Sequence, residues 1–218
     1  MIGPRRLAGL SPDPHVALTY DDGPDRHSTP YLLDLLAEHD VHATFFLLGA
    51  YAAAERALLT RMVDEGHELA IHGWSHTCVA RLSPARLRRE LREAKATVAG
   101  LTGQPVRWYR PPYGVLAPGT VRAAEAVGLR TVLWSAWGRD WERRATPERV
   151  ARSVGRTLRP GGTVLLHDTD RTATAGSWRT TLGATGLLLA DRRVPWGPLR
   201  DHWADHRADH RAERSVAP

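Results

Sequence analysis

The sequence predicts a parallel α/β domain, and three observations support this fold class. Short apolar runs alternate with helix-like segments along the 218 residues, the connections between them are short, and polar residues suited to chemistry follow the ends of the runs. Six strand–helix units are too few for a complete eight-fold barrel, which leaves an incomplete or distorted (β/α) barrel open.

Strands are expected at short apolar runs bounded by turn residues, as Pro14 and Gly23 bound the first of them. The six runs cover residues 16–20, 43–48, 68–72, 106–109, 131–135 and 163–167. The helix-like segments cover residues 29–39, 52–65, 84–101, 118–127, 147–158 and 178–192.

Capping residues mark several helix ends. Two hydroxyl residues precede a proline at the expected first position of a helix, in Ser83-Pro84 and Thr146-Pro147. Glycines stand at three expected C-caps: Gly66, Gly103 and Gly128. The length of the chain and this run of elements predict a single domain over residues 15–200, preceded by an extension over residues 1–14.

The last residues, 201–218, are rich in charge and repeat an Asp-His pair three times. Low-complexity charged ends are usually solvated, and we expect a solvated tail here. The formal net charge of +6 comes almost wholly from arginine, since Lys95 is the only lysine. Basic residues stand beside acidic ones, as in "RLRRELREAK", and no cluster is interleaved with aromatics, so we do not expect a nucleic-acid partner.

The composition also limits the compartment and the partners. One cysteine, Cys78, excludes an internal disulfide and is typical of a reducing compartment. There is no apolar run long enough to span a bilayer, and no hydrophobic run follows the basic N-terminal residues. The sequence as it stands therefore predicts a cytoplasmic protein, or a secreted one if a leader has been removed. It does not indicate an oligomeric state.

The residues suited to chemistry lie at or just beyond the C-terminal ends of the expected strands. They are Asp21, Asp22, His72, His76, Arg110, Asp140 and His167. Parallel α/β folds build their sites at that edge, so we expect these side chains to meet.

The stretch "HGWSH" suggests a metal site. His72 and His76 are four residues apart, a spacing that brings two imidazoles to one side of a helical turn. Many such pairs bind nothing, but Asp22 completes a set of two histidines and one carboxylate. This set predicts one divalent metal, with Zn²⁺ as the expected ion and Co²⁺, Ni²⁺ or Mn²⁺ as alternatives.

The other aspartate of "TYDDGPD" needs a different role. A carboxylate beside a metal site is placed to take a proton from water, and Asp21 fits this role of general base. Arg110, in "RPPYG", would orient Asp21 and keep it ionised. Alone, Arg110 would be interpreted as a surface charge before a proline turn.

Five motifs, "TYDDGPD", "HGWSH", "RPPYG", "GRDW" and "LLHD", resemble in order and spacing those of the polysaccharide deacetylases. This family is the NodB homology domain of carbohydrate esterase family 4, and the resemblance covers about residues 16–192. It implies a distorted, incomplete (β/α) barrel and a metal-dependent hydrolase that removes acetyl groups.

The resemblance also implies roles for individual residues. Asp21 would be the base, held by Arg110, and His167 the acid, oriented by Asp140. The ligands of the metal would be Asp22, His72 and His76. Substrate contacts would come from Trp141 and Leu165, around the acetyl methyl group, and from the "RPPYG" loop. That loop would contribute Pro111 and the backbone amide of Tyr113, which would stabilise an oxyanion.

Three positions differ from the usual pattern of the family. Tyr20 replaces a phenylalanine, Gly73 stands where a serine or threonine often occurs, and Trp137 replaces an acidic residue three positions before Asp140. These differences leave the catalytic set intact and leave the substrate open.

Three hypotheses about function follow. The first is N-deacetylation of an amino sugar or its polymer, by attack of a metal-bound water. The second keeps this chemistry but acts on a small cytoplasmic N-acyl metabolite or an O-acetylated sugar. The third is a non-catalytic carbohydrate-binding protein on the same fold, which the presence of Asp21, Arg110, Asp140 and His167 makes the weakest.

Overall fold

The computed structural model describes residues 4–203, which form one curled parallel sheet covered by helices. The strands are β1 (Val16–Asp21), β2 (Thr44–Leu48), β3 (Glu68–Gly73), β4 (Trp108–Tyr109), β5 (Arg130–Thr131), β6 (Ala136–Trp137), β7 (Thr163–His167) and β8 (Trp196–Gly197). The helices are α1 (Pro4–Leu7), α2 (Thr29–Glu38), α3 (Gly49–Ala52), α4 (Arg56–Asp64), α5 (Pro84–Thr102), α6 (Thr120–Glu125), α7 (Pro147–Thr157) and α8 (Ser177–Leu189). Short 3₁₀ helices cover Val79–Arg81, Pro112–Gly114 and Leu199–Trp203.

Seven strands follow one another across the sheet in the order β5-β4-β3-β2-β1-β7-β6, and β8 pairs with the start of β1. The pairings between them are parallel, and β1 lies between β2 and β7. This sheet confirms the predicted distorted, incomplete (β/α) barrel. Among the described residues, no helix combines the length and the apolar character that crossing a membrane requires.

The expected strand at 131–135 is wrong in extent. The structure ends β5 at Thr131 and begins β6 at Ala136, at the opposite end of the strand order. The residues between them cross from one edge of the sheet to the other and bond to other elements. Leu133 donates from its backbone to Leu7 and accepts from Arg110, while the backbone of Ser135 donates to Thr163.

The single helix expected at 52–65 is also wrong, because the structure divides it. The short helix α3 begins at Gly49, where a side chain would collide with Ala94 and Trp74. A break then precedes α4. Arg26 stabilises the break by donating to the backbone carbonyl of Ala54, at 3.0 Å, and to Glu55, at 2.7 Å.

The predicted caps of two helices are confirmed. The hydroxyl of Ser83 accepts from the backbone amide of Arg86, and that of Thr146 accepts from Arg149, each with proline at the first helical position. Gly103 ends α5 in the left-handed conformation at a φ of 68°.

Alternation along the strands separates the core from the site. In β1, Val16, Leu18 and Tyr20 belong to the core under the helices. Asp21 lies on the other face, because successive side chains of a strand point to opposite sides. The same alternation in the neighbouring strands brings polar residues to the inner face of the curled sheet, at its C-terminal edge.

The chain on both sides of the catalytic domain packs against its sheet. The carbonyl of Gly9, in the expected extension, accepts from Thr163 at 2.7 Å. The prediction of a solvated tail is wrong at His202, which is fully buried and lies 3.1 Å from the hydroxyl of Thr163. Residues 204–218, with the other two Asp-His pairs, lie outside the described residues.

Candidate active site

A pocket of about 230 Å³ opens at the C-terminal edge of the sheet. Four polar side chains form its floor: Asp21, His72, His76 and His167. Two of them are paired across neighbouring strands, since Asp21 at the end of β1 is the register partner of His167 at the end of β7. The pocket therefore brings together residues that are far apart in sequence.

The three predicted metal ligands converge beside this floor. One ligand atom from each of Asp22, His72 and His76 lies within 4.8 Å of the other two. Oδ1 of Asp22 is 3.4 Å from Nε2 of His72 and 3.3 Å from Nε2 of His76. Two of the three residues owe their positions to local backbone geometry, because Asp22 and His76 have φ values of 82° and 59°. Such turns after the strands aim both side chains inward.

The chemistry of this donor set fits a divalent cation. Nδ1 of His72 donates to the backbone carbonyl of Arg110 at 2.9 Å, which leaves the lone pair of Nε2 for a metal. Burial lowers the pKa of His72 to about 3 and also lowers the pKa of His76, so both rings are neutral, as ligands must be. Oδ1 of Asp22 is buried and has no hydrogen-bond donor among the described residues. A cation would satisfy it.

Asp21 is held by a buried arginine. Arg110 is fully buried, and its Nη1 donates to Oδ1 of Asp21 at 2.6 Å and to the hydroxyl of Thr19 at 2.9 Å. Its Nη2 donates to the carbonyl of Leu133, and the guanidinium stacks 3.9 Å from the centre of the Phe46 ring. Burial raises the pKa of Asp21, and the charge of Arg110 opposes this effect. The arginine thus fixes one oxygen of the carboxylate and leaves Oδ2 directed toward the pocket floor.

His167 is held by a buried carboxylate. Oδ1 of Asp140 lies 3.1 Å from Nδ1 of His167, and Oδ2 accepts from the backbone amide of His167 and from the hydroxyl of Thr181, both at 2.7 Å. Burial alone would lower the pKa of His167, but nearby carboxylates, led by Asp140, raise it to about 10. The ring is therefore protonated at neutral pH, and Nε2 is the nitrogen free to act in the pocket.

Apolar and aromatic side chains form the walls. Trp141 packs edge-on against His167 at 5.2 Å between ring centres, and Leu165 completes this side. Tyr113 contacts the ring of His76 at 4.6 Å and is 65% exposed, so it stands at the rim. Pro111 is buried and does not line the pocket. The structure therefore brings Tyr113, Trp141 and Leu165 to the pocket but not Pro111.

Two more tryptophans, absent from the predicted site, continue this wall. The ring of Trp137 lies 5.7 Å from that of Trp134 and 5.4 Å from that of Trp141. From the sequence, Trp137 is recognisable only as a departure from the motif. Gly73, the other departure near the site, ends β3 at a φ of 122°, a conformation that disfavours a side chain there.

The loop after β7 supplies contacts that sequence reasoning missed. Thr172 donates to Oδ2 of Asp22, and Arg171 donates to the backbone carbonyls of Asp22 and Pro24 at 2.9 and 3.1 Å. Asp168, the last residue of "LLHD", accepts from the backbone amide of Gly23 at 3.0 Å. This loop therefore holds the loop that contains the two aspartates. Only Asp168 stood in a motif and could have been singled out.

Comparison with known proteins agrees with this geometry. The family model described as polysaccharide deacetylase matches residues 9–132. A chitooligosaccharide deacetylase of Bradyrhizobium sp. (strain ANU 289) is 39% identical over 165 residues, which cover 75% of this chain and 75% of that protein. A peptidoglycan-N-acetylglucosamine deacetylase, PgdA of Listeria monocytogenes, is 36% identical over 77% of this chain, although the match covers only 35% of PgdA.

A solved structure shows the same architecture. The crystal structure of BA3943, described as a CE4 family pseudoenzyme from Bacillus anthracis, superposes with a TM-score of 0.77 at 27% identity and covers 88% of this chain and 66% of that one. The matched family model, the relatives and the pocket at the strand ends agree. The chain belongs to the polysaccharide deacetylase family.

Proposed function

We propose that this protein removes the acetyl group from an N-acetylated amino sugar in an oligosaccharide or polymer, using one divalent cation, with Zn²⁺ the expected ion. The pairing of Asp21 with His167 is the observation that supports this function most strongly. These residues are register partners at the ends of adjacent strands, and both line the pocket beside the three converging ligands. A base and an acid on neighbouring strands suit hydrolysis of an amide.

Asp22, His72 and His76 would hold the cation. When bound there, it lowers the pKa of a coordinated water and polarises the acetyl carbonyl. The residues that hold it are neutral or singly negative, so the bound site keeps a net positive charge that favours a developing oxyanion.

Asp21 would take the proton of the attacking water. Its Oδ1 is engaged by Arg110, whereas Oδ2 lies 3.6 Å from Nδ1 of His72, a nitrogen already bonded to the carbonyl of Arg110. Oδ2 is therefore the oxygen available as base. Burial raises the pKa of this carboxylate, and the charge of Arg110 opposes that rise and so favours the ionised form.

His167 would protonate the departing amine. Its raised pKa keeps the ring charged before the reaction, and Asp140 fixes Nδ1, so the proton leaves from Nε2. Trp141 and Leu165 would enclose the acetyl methyl group. The backbone amide of Tyr113, on the loop after β4, would donate to the oxyanion.

The alternatives keep the fold and change the substrate or the activity. A small N-acyl metabolite or an O-acetylated sugar would use the same residues. The relative described as a pseudoenzyme shows that the fold alone does not guarantee activity. In this chain, the acid, the base and the three ligands are all present.

Acetate release across a panel of substrates tests the proposal. The metal-loaded protein is assayed on chitooligosaccharides, peptidoglycan fragments, acetylxylan and small N-acetyl compounds, with Asp21→Asn as the inactive control. We expect release from the amino-sugar oligomers. Release from acetylxylan or from small compounds alone would favour the second hypothesis, and no release from any substrate would favour a binding protein.

A further inference from the structure

A second cleft, which we name the arginine cleft, lies beside the catalytic pocket. It has a volume of about 380 Å³ and is formed by the segment that follows β6 and by one face of α7. Its charged side chains are Arg139, Arg144, Arg149, Arg156 and Glu142. Four guanidinium groups and one carboxylate give this concave surface a net charge of +3.

Three of the four arginines of this cleft have no ion-pair partner among the described residues. Some arginines elsewhere do form ion pairs, as in Arg26–Glu55, Arg61–Glu65, Arg86–Glu90 and Arg193–Asp191. In the cleft, only Arg139 has a carboxylate within reach, that of Glu142 at 3.3 Å. Within residues 4–203, Arg144, Arg149 and Arg156 form no ion pair. Their positive charge is therefore available to a ligand.

The fold concentrates these charges. Arg149 and Arg156 are seven residues apart on α7 and share a face, and the buried Val150 lines the cleft beside them. Gly138 brings the segment after β6 against this helix, because a side chain there would lie 2.4 Å from Val150.

Trp137 separates the cleft from the catalytic pocket. One part of this tryptophan lines the pocket, and the guanidinium of Arg139 lies 5.1 Å from the centre of its ring. The hydroxyl of Ser153, in the cleft, donates to the backbone carbonyl of Trp137 at 3.3 Å. A ligand that extends from the pocket across Trp137 would therefore meet Arg139.

We propose that the arginine cleft binds a carboxylate borne by a glycan whose acetylated sugar occupies the pocket. Guanidinium groups match the geometry of a carboxylate and bind it with paired hydrogen bonds. A neutral oligomer has no group that could satisfy these charges. The inference rests on the proposed function for the place of the sugar, and it assigns a preference for anionic glycans over neutral ones.

Binding of matched glycans tests the inference separately from catalysis. Titration calorimetry on the full metal-loaded protein compares three ligands: a peptide-free peptidoglycan oligosaccharide, its methyl ester and a neutral chitooligosaccharide of equal length. A fourth ligand that retains the peptide distinguishes carboxylates on the sugar from those on the peptide. The variant is Arg144→Gln with Arg149→Gln. The control is Arg88→Gln with Arg89→Gln, two exposed arginines on α5 with the same loss of charge.

We expect the protein to bind the anionic glycan more tightly than its ester. Each exposed arginine should contribute roughly a two- to fivefold difference, which salt reduces. The cleft variant should lose this preference and bind the neutral oligomer as before, and the control should keep it. Equal binding of glycans and esters, or an unchanged preference in the cleft variant, would overturn the inference. If the protein binds the anionic glycan more tightly than its ester but releases acetate from no substrate, the proposed function is refuted and this inference stands.

Discussion

Thr172 donates a hydrogen bond to Oδ2 of Asp22, the oxygen that faces away from the two histidines. The other oxygen, Oδ1, lies between His72 and His76 and has no donor among the described residues. One hydroxyl from the loop after β7 thus sets the orientation of a candidate ligand that follows β1.

Thr172→Val should weaken metal binding. The substitution keeps the shape but removes the hydroxyl, so Asp22 can rotate. Loss of a hydrogen bond to a ligand typically costs about 10–100-fold in affinity, and we expect the lower value at this rim position. Competition with a chromophoric chelator measures the affinity. Thr172→Ser should restore it, and Thr174→Val, an exposed threonine nearby, is the control. Unchanged affinity in Thr172→Val would show that Asp22 does not depend on this contact.

Asp140→Asn should move the alkaline limb of the pH–rate profile to lower pH. His167 has a pKa raised to about 10 and must be protonated to act, so the wild type keeps activity until the pH approaches this value. Loss of the charge of Asp140 lowers the pKa, and the ring loses its proton at a lower pH. If the alkaline limb of Asp140→Asn stays at the same pH and the rate falls equally at every pH, the limb belongs to a group other than His167.

The same pair affects stability in a defined pH window. Because the folded pKa of His167 lies above the ordinary value of 6.5, its stabilising contribution is complete below pH 6.5 and disappears as the pH rises through about 10. Denaturant unfolding of wild type and Asp140→Asn should differ most at pH 6 and converge at alkaline pH. If the free energies of unfolding of wild type and Asp140→Asn differ by the same amount at every pH, the stabilisation does not come from protonated His167.

Arg110→Met should reduce both stability and kcat. It leaves Asp21 buried without its partner, a change that typically costs about 3–5 kcal/mol. Adding Asp21→Asn should recover part of this loss in free energy of unfolding, because no buried charge then remains unpaired. For the milder variant Arg110→Lys, we expect kcat to fall with KM nearly unchanged. A large rise in KM alone would indicate that the arginine binds substrate.

His202→Ala should lower stability without changing metal content. The side chain is fully buried against Thr163, and loss of its hydrogen bond costs roughly 1–3 kcal/mol. Thermal unfolding and metal analysis of the same samples check both statements. Loss of stoichiometric metal in a folded variant would connect the Asp-His pairs of the tail to the site.

The sequence predicted the site better than its surroundings. Strand ends were identifiable because β1, β2, β3 and β7 have five or six residues each, enough for an apolar run between turn residues. The two-residue strands β6 and β8 have no such run, and they were missed. Thr172 and Thr181 were missed for a different reason: a lone threonine has no pattern, and its importance comes from the carboxylate that folding brings to it.

The error at His202 has the same origin. Repeated Asp-His pairs indicate a solvated end by composition, whereas the burial of His202 depends on its contact with Thr163 of β7, which no local pattern reveals. Asp21 and Arg110 were recognisable because each lies at or just after the end of a strand, within a motif of unusual composition. Their 2.6 Å contact became evident only in the structure.

The central claim is that the adjacent carboxylates Asp21 and Asp22 have different roles, and a paired measurement on Asp21→Asn and Asp22→Asn tests it most directly. Metal per protein and initial rate of acetate release are determined for each variant on a substrate that the wild type cleaves. Asp21→Asn should keep the metal and lose about 10²–10⁴-fold in rate, because the amide cannot accept a proton. Asp22→Asn should lose metal affinity, with added metal restoring part of the rate. Loss of metal in Asp21→Asn together with full metal and a low rate in Asp22→Asn would contradict the account.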